Sequence, residues 1–289
     1  MYNTKIGTEI ASSPMNYIGG KSKILPQIQP IFPRNIDGFH DVFSGGGNVG
    51  VNIKNKKLFL NDLNNFVMQI LEEFYTRPID DILLEIQFYI EKYNLSKTNV
   101  QGFLNCRTDY NKKQNPIQLY TLICYSFNYQ FRFNSLHEYN NPFGKERSHF
   151  SGKLREKLIR FITKIKMNKV EFSNLTFQEY FSNKKIKEND FLYCDPPYLI
   201  TTGSYNDGHR GFKHWDIYQE KDLLTALDFL NNKNIKFALS NVLYHKGKEN
   251  NLLIEWSKKY KIHEIHKNYK NSCYNTSRGD SLEVVITNY

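Results

Sequence analysis

Two consecutive prolines, Pro196 and Pro197, follow directly on an apolar run, Asp190-Phe191-Leu192-Tyr193-Cys194, and this pair limits the fold more narrowly than any other feature. Neither proline can donate to a sheet ladder, and each restrains the residue before it. A strand over 190–194 must therefore leave by a stiff extended turn. That turn carries one carboxylate, Asp195, and one aromatic ring, Tyr198, past the strand's end. Further strand-like runs are expected at 36–43, 57–61, 169–173, 235–240, 260–266 and 282–287. Helical patterns fall between them, one with Phe66, Ile70, Leu71 and Phe74 on a single face and closed by Pro78, another near 220–232. Strands alternating with helices predict a largely parallel sheet, and such sheets bind ligands at the carboxyl edge of their strands.

The strand at 36–43 runs into Ser44-Gly45-Gly46-Gly47-Asn48-Val49-Gly50, where Gly45, Gly47 and Gly50 have the G-x-G-x-x-G spacing; Asp62 ends the next strand. Glycines admit a ligand close to the backbone, and a carboxylate at that second strand end can accept from ribose hydroxyls. Alone, the pattern suits a nicotinamide enzyme, a flavin enzyme, a methyltransferase or a plain tight turn. Gly19-Gly20-Lys21-Ser22 has the ending of a phosphate-binding loop, but Met15 stands where that motif requires glycine. Lys21 thus takes another role or is an exposed surface lysine.

The net charge of +10 concentrates in the middle of the chain: +6 over 76–165, against +1 before it and +3 after. Such a patch attracts phosphate backbones, or is simply a solvated lysine-rich surface. Within it, helices are expected near 80–93 and 116–126, then an aromatic and polar run from Phe127 to Arg147. An amphipathic helix follows, with Leu154, Leu158, Phe161 and Ile165 on one face and Lys153, Arg155, Lys157, Arg160 and Lys164 on the other. Residues 1–15 read as a loose lead-in. Cys106, Cys124, Cys194 and Cys273 form no C-x-x-C pair, which argues against a disulfide framework or a zinc knuckle and fits a reduced, cytoplasmic setting. No stretch approaches the ~18 apolar residues of a membrane span, and no signal peptide pattern opens the chain. The eight histidines suggest no metal set; His263 and His266 lie on a predicted edge element as surface residues, and no metal dependence is expected.

A carboxylate and an aromatic ring at a sheet edge suit chemistry on an exocyclic amine. The adenine amino group is a poor nucleophile because its lone pair is delocalised into the ring. Hydrogen bonds from N6–H to a carboxylate and a backbone carbonyl favour a pyramidal, more nucleophilic nitrogen. An enzyme acting on a base must also take it out of the stack, and a tyrosine can stack on it. A nicotinamide dehydrogenase has no use for this edge; an RNA or protein amine methyltransferase could share it, and a non-catalytic DNA-binding module would keep only the basic segment.

Asn16-Tyr17-Ile18-Gly19-Gly20-Lys21, Asp41-Val42-Phe43-Ser44-Gly45-Gly46-Gly47, Asp62 and Asp195-Pro196-Pro197-Tyr198 together resemble, in that order, the motifs of the Dam-like (D12 class, α-group) adenine-N6 DNA methyltransferases. Phe131-Arg132-Phe133-Asn134, Asn141-Pro142-Phe143-Gly144-Lys145 and the ending Glu283-Val284-Val285-Ile286-Thr287-Asn288-Tyr289 extend the resemblance over nearly the whole chain. It implies a class I S-adenosylmethionine-dependent fold, a seven-stranded mixed sheet whose last two strands pair antiparallel. Residues 1–75 and 166–289 would make the catalytic domain, and 76–165 an inserted, mostly helical target-recognition domain carrying a β-hairpin.

The resemblance also implies roles. Tyr17 and Lys21 would contact S-adenosylmethionine, Phe43, Ser44, Gly45 and Gly47 would line its methionine end, and Asp62 would bind its ribose. Phe177 is either the apolar wall of its adenine or a plain core residue. Asp195 would face both cofactor and target amine, Pro196 and Pro197 would set the turn, and Tyr198 would meet the flipped base. An Asp heading the tetrapeptide favours adenine over cytosine N4. Asn128, Gln130, Arg132, Asn134, Pro142, Lys145 and Arg147 are the candidate contacts to double-stranded DNA, with the basic helix beside them, or else solvated. Asn128-Tyr129-Gln130 and Glu146 depart from the GATC-specific members, so no GATC target is implied. One copy, or a weak dimer, suffices, and in a restriction-modification system a cognate endonuclease would accompany it.

Overall fold

Short runs of alternating or wholly apolar residues become strands here because they can be covered on both faces. The computed structural model of the chain describes residues 10–17, 19–54, 57–201, 215–266 and 281–289. In chain order the elements are α1 (Leu25–Ile28), β1 (Gly38–Asp41), β2 (Lys57–Asn61), α2 (Asn65–Thr76), α3 (Ile79–Lys92), α4 (Val100–Lys112), α5 (Pro116–Tyr125), α6 (Gly152–Ile165) and β3 (Lys169–Ser173). There follow α7 (Phe177–Asn183), β4 (Phe191–Cys194), α8 (Ile217–Asn232), β5 (Lys236–His245), β6 (Lys248–Glu249), α9 (Asn251–Ser257), β7 (Lys261–Ile265) and β8 (Ser281–Thr287).

The sheet runs β3-β2-β1-β4-β5-β8-β7, and the two-residue β6 pairs with the end of β5, one strand more than the seven expected. The five strands from β3 to β5 are mutually parallel. β8 joins β5 antiparallel and β7 joins β8 antiparallel, so the last two strands pair as expected. Order reverses between β1 and β4, and their carboxyl ends open the crevice that such a reversal creates. The outermost strands, β3 and β7, carry Lys169, Glu171, Lys261 and Glu264, charges that discourage further pairing.

The period of two sorts β4 between two layers. Phe191 and Tyr193 join a cluster with Phe39, Leu58, Leu60 and Val285; Leu192 and Cys194 join the opposite one with Phe237, Leu239 and Ile286. The first cluster is continuous with buried side chains of α2 to α6, including Phe103, Tyr120, Leu158 and Phe161. Residues 76–165 thus share the core under one sheet face. Each such side chain contributes about 1.5–3 kcal/mol by leaving water.

Several expectations need correction. Residues 10–15 are no loose lead-in: Ala11, Ser13 and Met15 are buried. Asn52 bonds the backbone of Ala11 in both directions, and Asn48 Oδ1 accepts from Ser13 N–H. Helix α4 escaped the sequence reading because its composition is polar; it is started by Asn99, whose side chain accepts from Gly102 N–H. The short α7 and α9 carry too few residues for a periodic signal. On α6 the basic face is narrower than expected: Lys164 is buried and Lys157 half-buried, and burial lowers the pKa of both. The expected hairpin turns back antiparallel through two isolated bridges, Ser126 with Phe143 and Phe133 with Tyr139, without a continuous ladder among the described residues. Cys106, Cys124 and Cys194 are buried free thiols, while Cys273 and Ile18 lie outside the described residues. No described helix is long and apolar enough to cross a membrane.

Candidate active site

The glycine turn after β1 is held from both sides by carboxylates. Asp41 Oδ2 accepts from Gly50 N–H at 2.9 Å, and Asp62 Oδ2 accepts from Gly45 N–H at 2.8 Å while Oδ1 takes Asn64 N–H. Gly45 and Gly47 have φ of +48° and +76°. A Cβ on Gly45 would lie 2.7 Å from the Tyr17 ring, and one on Gly47 would press on Phe161 and Val51, so the turn needs glycine at both positions. Above it opens a cavity of about 300 Å³.

Every residue assigned by resemblance to catalysis or the cofactor, apart from Gly47 beneath the turn, lines this cavity: Tyr17, Lys21, Phe43, Ser44, Gly45, Asp62, Phe177, Asp195, Pro196, Pro197 and Tyr198. Lys21 is not an exposed lysine. Its Nζ lies 2.8 Å from Asp195 Oδ1, 3.1 Å from the Gly19 carbonyl and 4.8 Å from the centre of the Tyr198 ring. Burial raises the Asp195 pKa above the ordinary carboxylate value, and the Lys21 charge opposes that rise. Tyr198 is buried and its hydroxyl reaches both Asp195 Oδ1, at 3.2 Å, and Glu283 Oε1, at 3.0 Å.

At the other end the wall is aromatic. Phe177, the first residue of α7, sits with its ring centre 5.9 Å from Phe43 and 5.6 Å from Trp215. The Trp215 indole donates at 2.7 Å to Glu220, a fully buried carboxylate that also accepts from Asn241 and Asn250. Thr176 and Glu179 cap α7 reciprocally and fix where Phe177 points.

Two lining residues, Asp41 and Trp215, and Glu283, which bonds the Tyr198 hydroxyl, had no assigned role in the sequence. Asp41 closes β1; its Oδ1 is buried with no hydrogen-bond partner among the described residues, and burial lifts its pKa to about 8. Glu283 is the third residue of β8, and the signal was a lone acid in a largely apolar strand. Trp215 had no signal beyond being aromatic before a helix.

The loop between α5 and α6 reaches over the cavity mouth. Phe131 and Phe133 point into it, Phe131 against Tyr17 and Phe133 stacked on Phe66 at 4.1 Å, while Arg132 between them is exposed. Asn128, Pro142, Lys145 and Arg147 are exposed too, and Gln130 is half-buried. Asn134 is engaged within the loop: its amide oxygen accepts from Leu136 and Glu138 N–H and its amide nitrogen donates to the Glu138 carboxylate. Asn128 takes a φ of +54° and its carbonyl accepts from Asn16, which ties the loop to the cavity rim. His263 lies on the edge strand β7, bonded to Thr287, and His266 is exposed.

The chain matches the family described as D12 class N6 adenine-specific DNA methyltransferase over residues 17–271. It is 55 % identical over 277 residues to the type II methyltransferase M.FokI of Planomicrobium okeanokoites, and 50 % identical over 280 residues to the modification methylase StsI of Streptococcus sanguinis. Each alignment covers 96 % of this chain and 43 % of the relative, so the chain spans less than half the length of these two proteins. A DNA adenine methylase of Escherichia coli strain K12 is 21 % identical over 257 residues, 87 % of this chain and 86 % of that protein.

Proposed function

Because the chain belongs to the D12 class N6 adenine-specific DNA methyltransferases, we propose that it moves a methyl group from S-adenosylmethionine to N6 of an adenine rotated out of duplex DNA. The observation that carries this reading is the convergence of Asp195 and Tyr198 on the same cavity as the glycine turn and Asp62. The strand order supports the class I methyltransferase fold, and the loop of 126–148 with its exposed basic residues supports 76–165 as the target-recognition unit.

The cavity's chemistry suits the donor. Phe43, Phe177 and Trp215 offer an apolar end for a purine, Asp62 a carboxylate for a ribose diol, and Asp41 Oδ1, without a hydrogen-bond partner among the described residues, an acceptor for the cationic methionine end. S-adenosylmethionine supplies an electrophilic methyl on its sulfonium. The protein's part is placement and charge. Tyr198 stacks on the extruded base, offsetting some of the ~few kcal/mol that unstacking costs. Asp195, whose burial-raised pKa Lys21 holds down, accepts from N6–H and makes the nitrogen lone pair available for in-line attack. Holding amine and methyl in register supplies much of the rate, and the proton lost from N6 afterwards passes to water. Asn128, Gln130, Arg132, Pro142, Lys145 and Arg147 are the contacts to bases and phosphates.

The names of the relatives, a type II methyltransferase and a modification methylase, support a modification role with a cognate restriction endonuclease as partner. The test is mass spectrometry of nucleosides from unmethylated DNA incubated with the protein and S-adenosylmethionine, beside RNA and the Asp195→Ala variant. N6-methyladenine in DNA alone, lost with Asp195, is expected. Methylation of RNA or cytosine instead would overturn the reading.

A further inference from the structure

A phenol has one proton to give, and Tyr198 is offered two carboxylates for it: Glu283 Oε1 at 3.0 Å and Asp195 Oδ1 at 3.2 Å. Asp195 Oδ1 already receives Lys21 at 2.8 Å, whereas Lys21 lies 3.8 Å from Glu283. Glu283 is buried on β8, the strand beside β5, and so approaches Tyr198 from a different element than the turn that carries both Asp195 and Tyr198. Each hydrogen bond that a carboxylate accepts draws off charge and weakens it as an acceptor elsewhere. If Tyr198 gave its proton to Asp195, that carboxylate would be doubly engaged on one oxygen and a poorer partner for an incoming amine.

We propose that Glu283 is a positioning residue: by taking the phenolic proton it fixes the Tyr198 ring and keeps Asp195 available to the target amine. The inference rests on the roles of Asp195 and Tyr198 given above and adds to them. It requires an acceptor at position 283 rather than a charge, so a neutral amide oxygen serves. It also makes the effect of Glu283 conditional on the Tyr198 hydroxyl.

The experiment compares the full chain with Glu283→Ala, Glu283→Gln, Tyr198→Phe and the double variant Glu283→Ala/Tyr198→Phe. Rates of methyl transfer to DNA, cofactor affinity by equilibrium dialysis and crystal structures are the readouts. Loss of a hydrogen bond to a charged group predicts about a tenfold fall in kcat for Glu283→Ala, with cofactor Kd within about threefold of the parent. Glu283→Gln should stay within about threefold of the parent, since its amide oxygen still accepts the phenolic proton, though less strongly than a carboxylate. The double variant should match Tyr198→Phe and exceed Glu283→Ala, a suppression that a structural defect at 283 cannot give. Crystal structures should show the Tyr198 hydroxyl moved onto Asp195 in Glu283→Ala and unmoved in Glu283→Gln. Losses that multiply in the double variant, or Glu283→Gln as slow as Glu283→Ala, overturn the proposal. If Glu283→Ala does not fold, the rate and structure of Glu283→Gln decide by the same criteria. If the parent makes no N6-methyladenine, the functional reading falls instead, and the position of Tyr198 in the two structures still tests Glu283.

Discussion

Lys21 Nζ stands 2.8 Å from Asp195 Oδ1, with the two side chains only 7 % and 15 % exposed. The pair joins the segment before α1 to the turn after β4, so the first part of the chain closes the site built by the last. Removing one member of a buried pair leaves the other uncompensated.

Lys21→Met should therefore shift the charge state of Asp195. Burial already raises its pKa and Lys21 holds it down, so without the lysine the carboxylate stays protonated to higher pH. The acid limb of the activity–pH profile should move upward in the variant. A limb that does not move would mean that Lys21 does not set the Asp195 charge.

Asp41 gives a stability prediction with a definite sign. Its folded pKa of about 8 lies above the ordinary value of 3.8. Between those values the native chain keeps a proton that the unfolded chain has lost, so this group's contribution to stability falls as pH rises. Asp41→Asn keeps an oxygen for Gly50 N–H and removes the titration. Denaturant melts from pH 4 to 8 should show the variant gaining on the parent as pH rises, by at most about 1.4 kcal/mol per pH unit. A difference independent of pH would refute the assignment.

The two strained glycines should fail in different ways. An alanine in the left-handed region costs about 1–2 kcal/mol, and both Gly45→Ala and Gly47→Ala should lower Tm. At Gly45 the new methyl also meets the Tyr17 ring on the cavity wall, so that variant alone should bind S-adenosylmethionine more weakly in a dialysis assay. Equal loss of cofactor affinity in both would mean that the turn, not Tyr17, is what the substitution disturbs.

On the loop, Arg132→Ala and Lys145→Ala remove exposed side chains and should leave stability within about 0.5 kcal/mol of the parent. Gel-shift titrations should then separate them. A base contact by Arg132 predicts relaxed sequence preference at one position, worth about 1–3 kcal/mol, whereas a phosphate contact by Lys145 predicts uniformly weaker binding and a smaller salt dependence. Unchanged DNA binding in both would remove the loop from the interface.

Much of the architecture was legible because its signals are local. β2 and β3 fall on the expected residues, and α2 runs from its Asn64 cap to just before Pro78 as the apolar spacing requires. The antiparallel β7–β8 pair came from family likeness, not from the residues of either strand. What escaped were elements whose pattern is weak, such as the polar α4, and segments whose burial is imposed from outside. Residues 10–15 look loose in sequence, yet their backbone groups are taken up by Asn48 and Asn52.

The site's chemical components are legible in short stretches of sequence. A strand stopped by Pro196 and Pro197 must present Asp195 and Tyr198 at its end, and glycines at 45 and 47 must make a turn that a ligand can approach, because both follow from backbone sterics within a few residues. What those groups meet is set by packing between distant segments: Lys21 is buried against Asp195, Glu283 reaches the Tyr198 hydroxyl, Asp41 keeps an oxygen without a hydrogen-bond partner among the described residues, and Lys164 turns inward. These relationships join residues far apart in the chain. They depend on which strands lie side by side and which helix covers them, and that is settled by the packing of the whole sheet rather than by any local pattern.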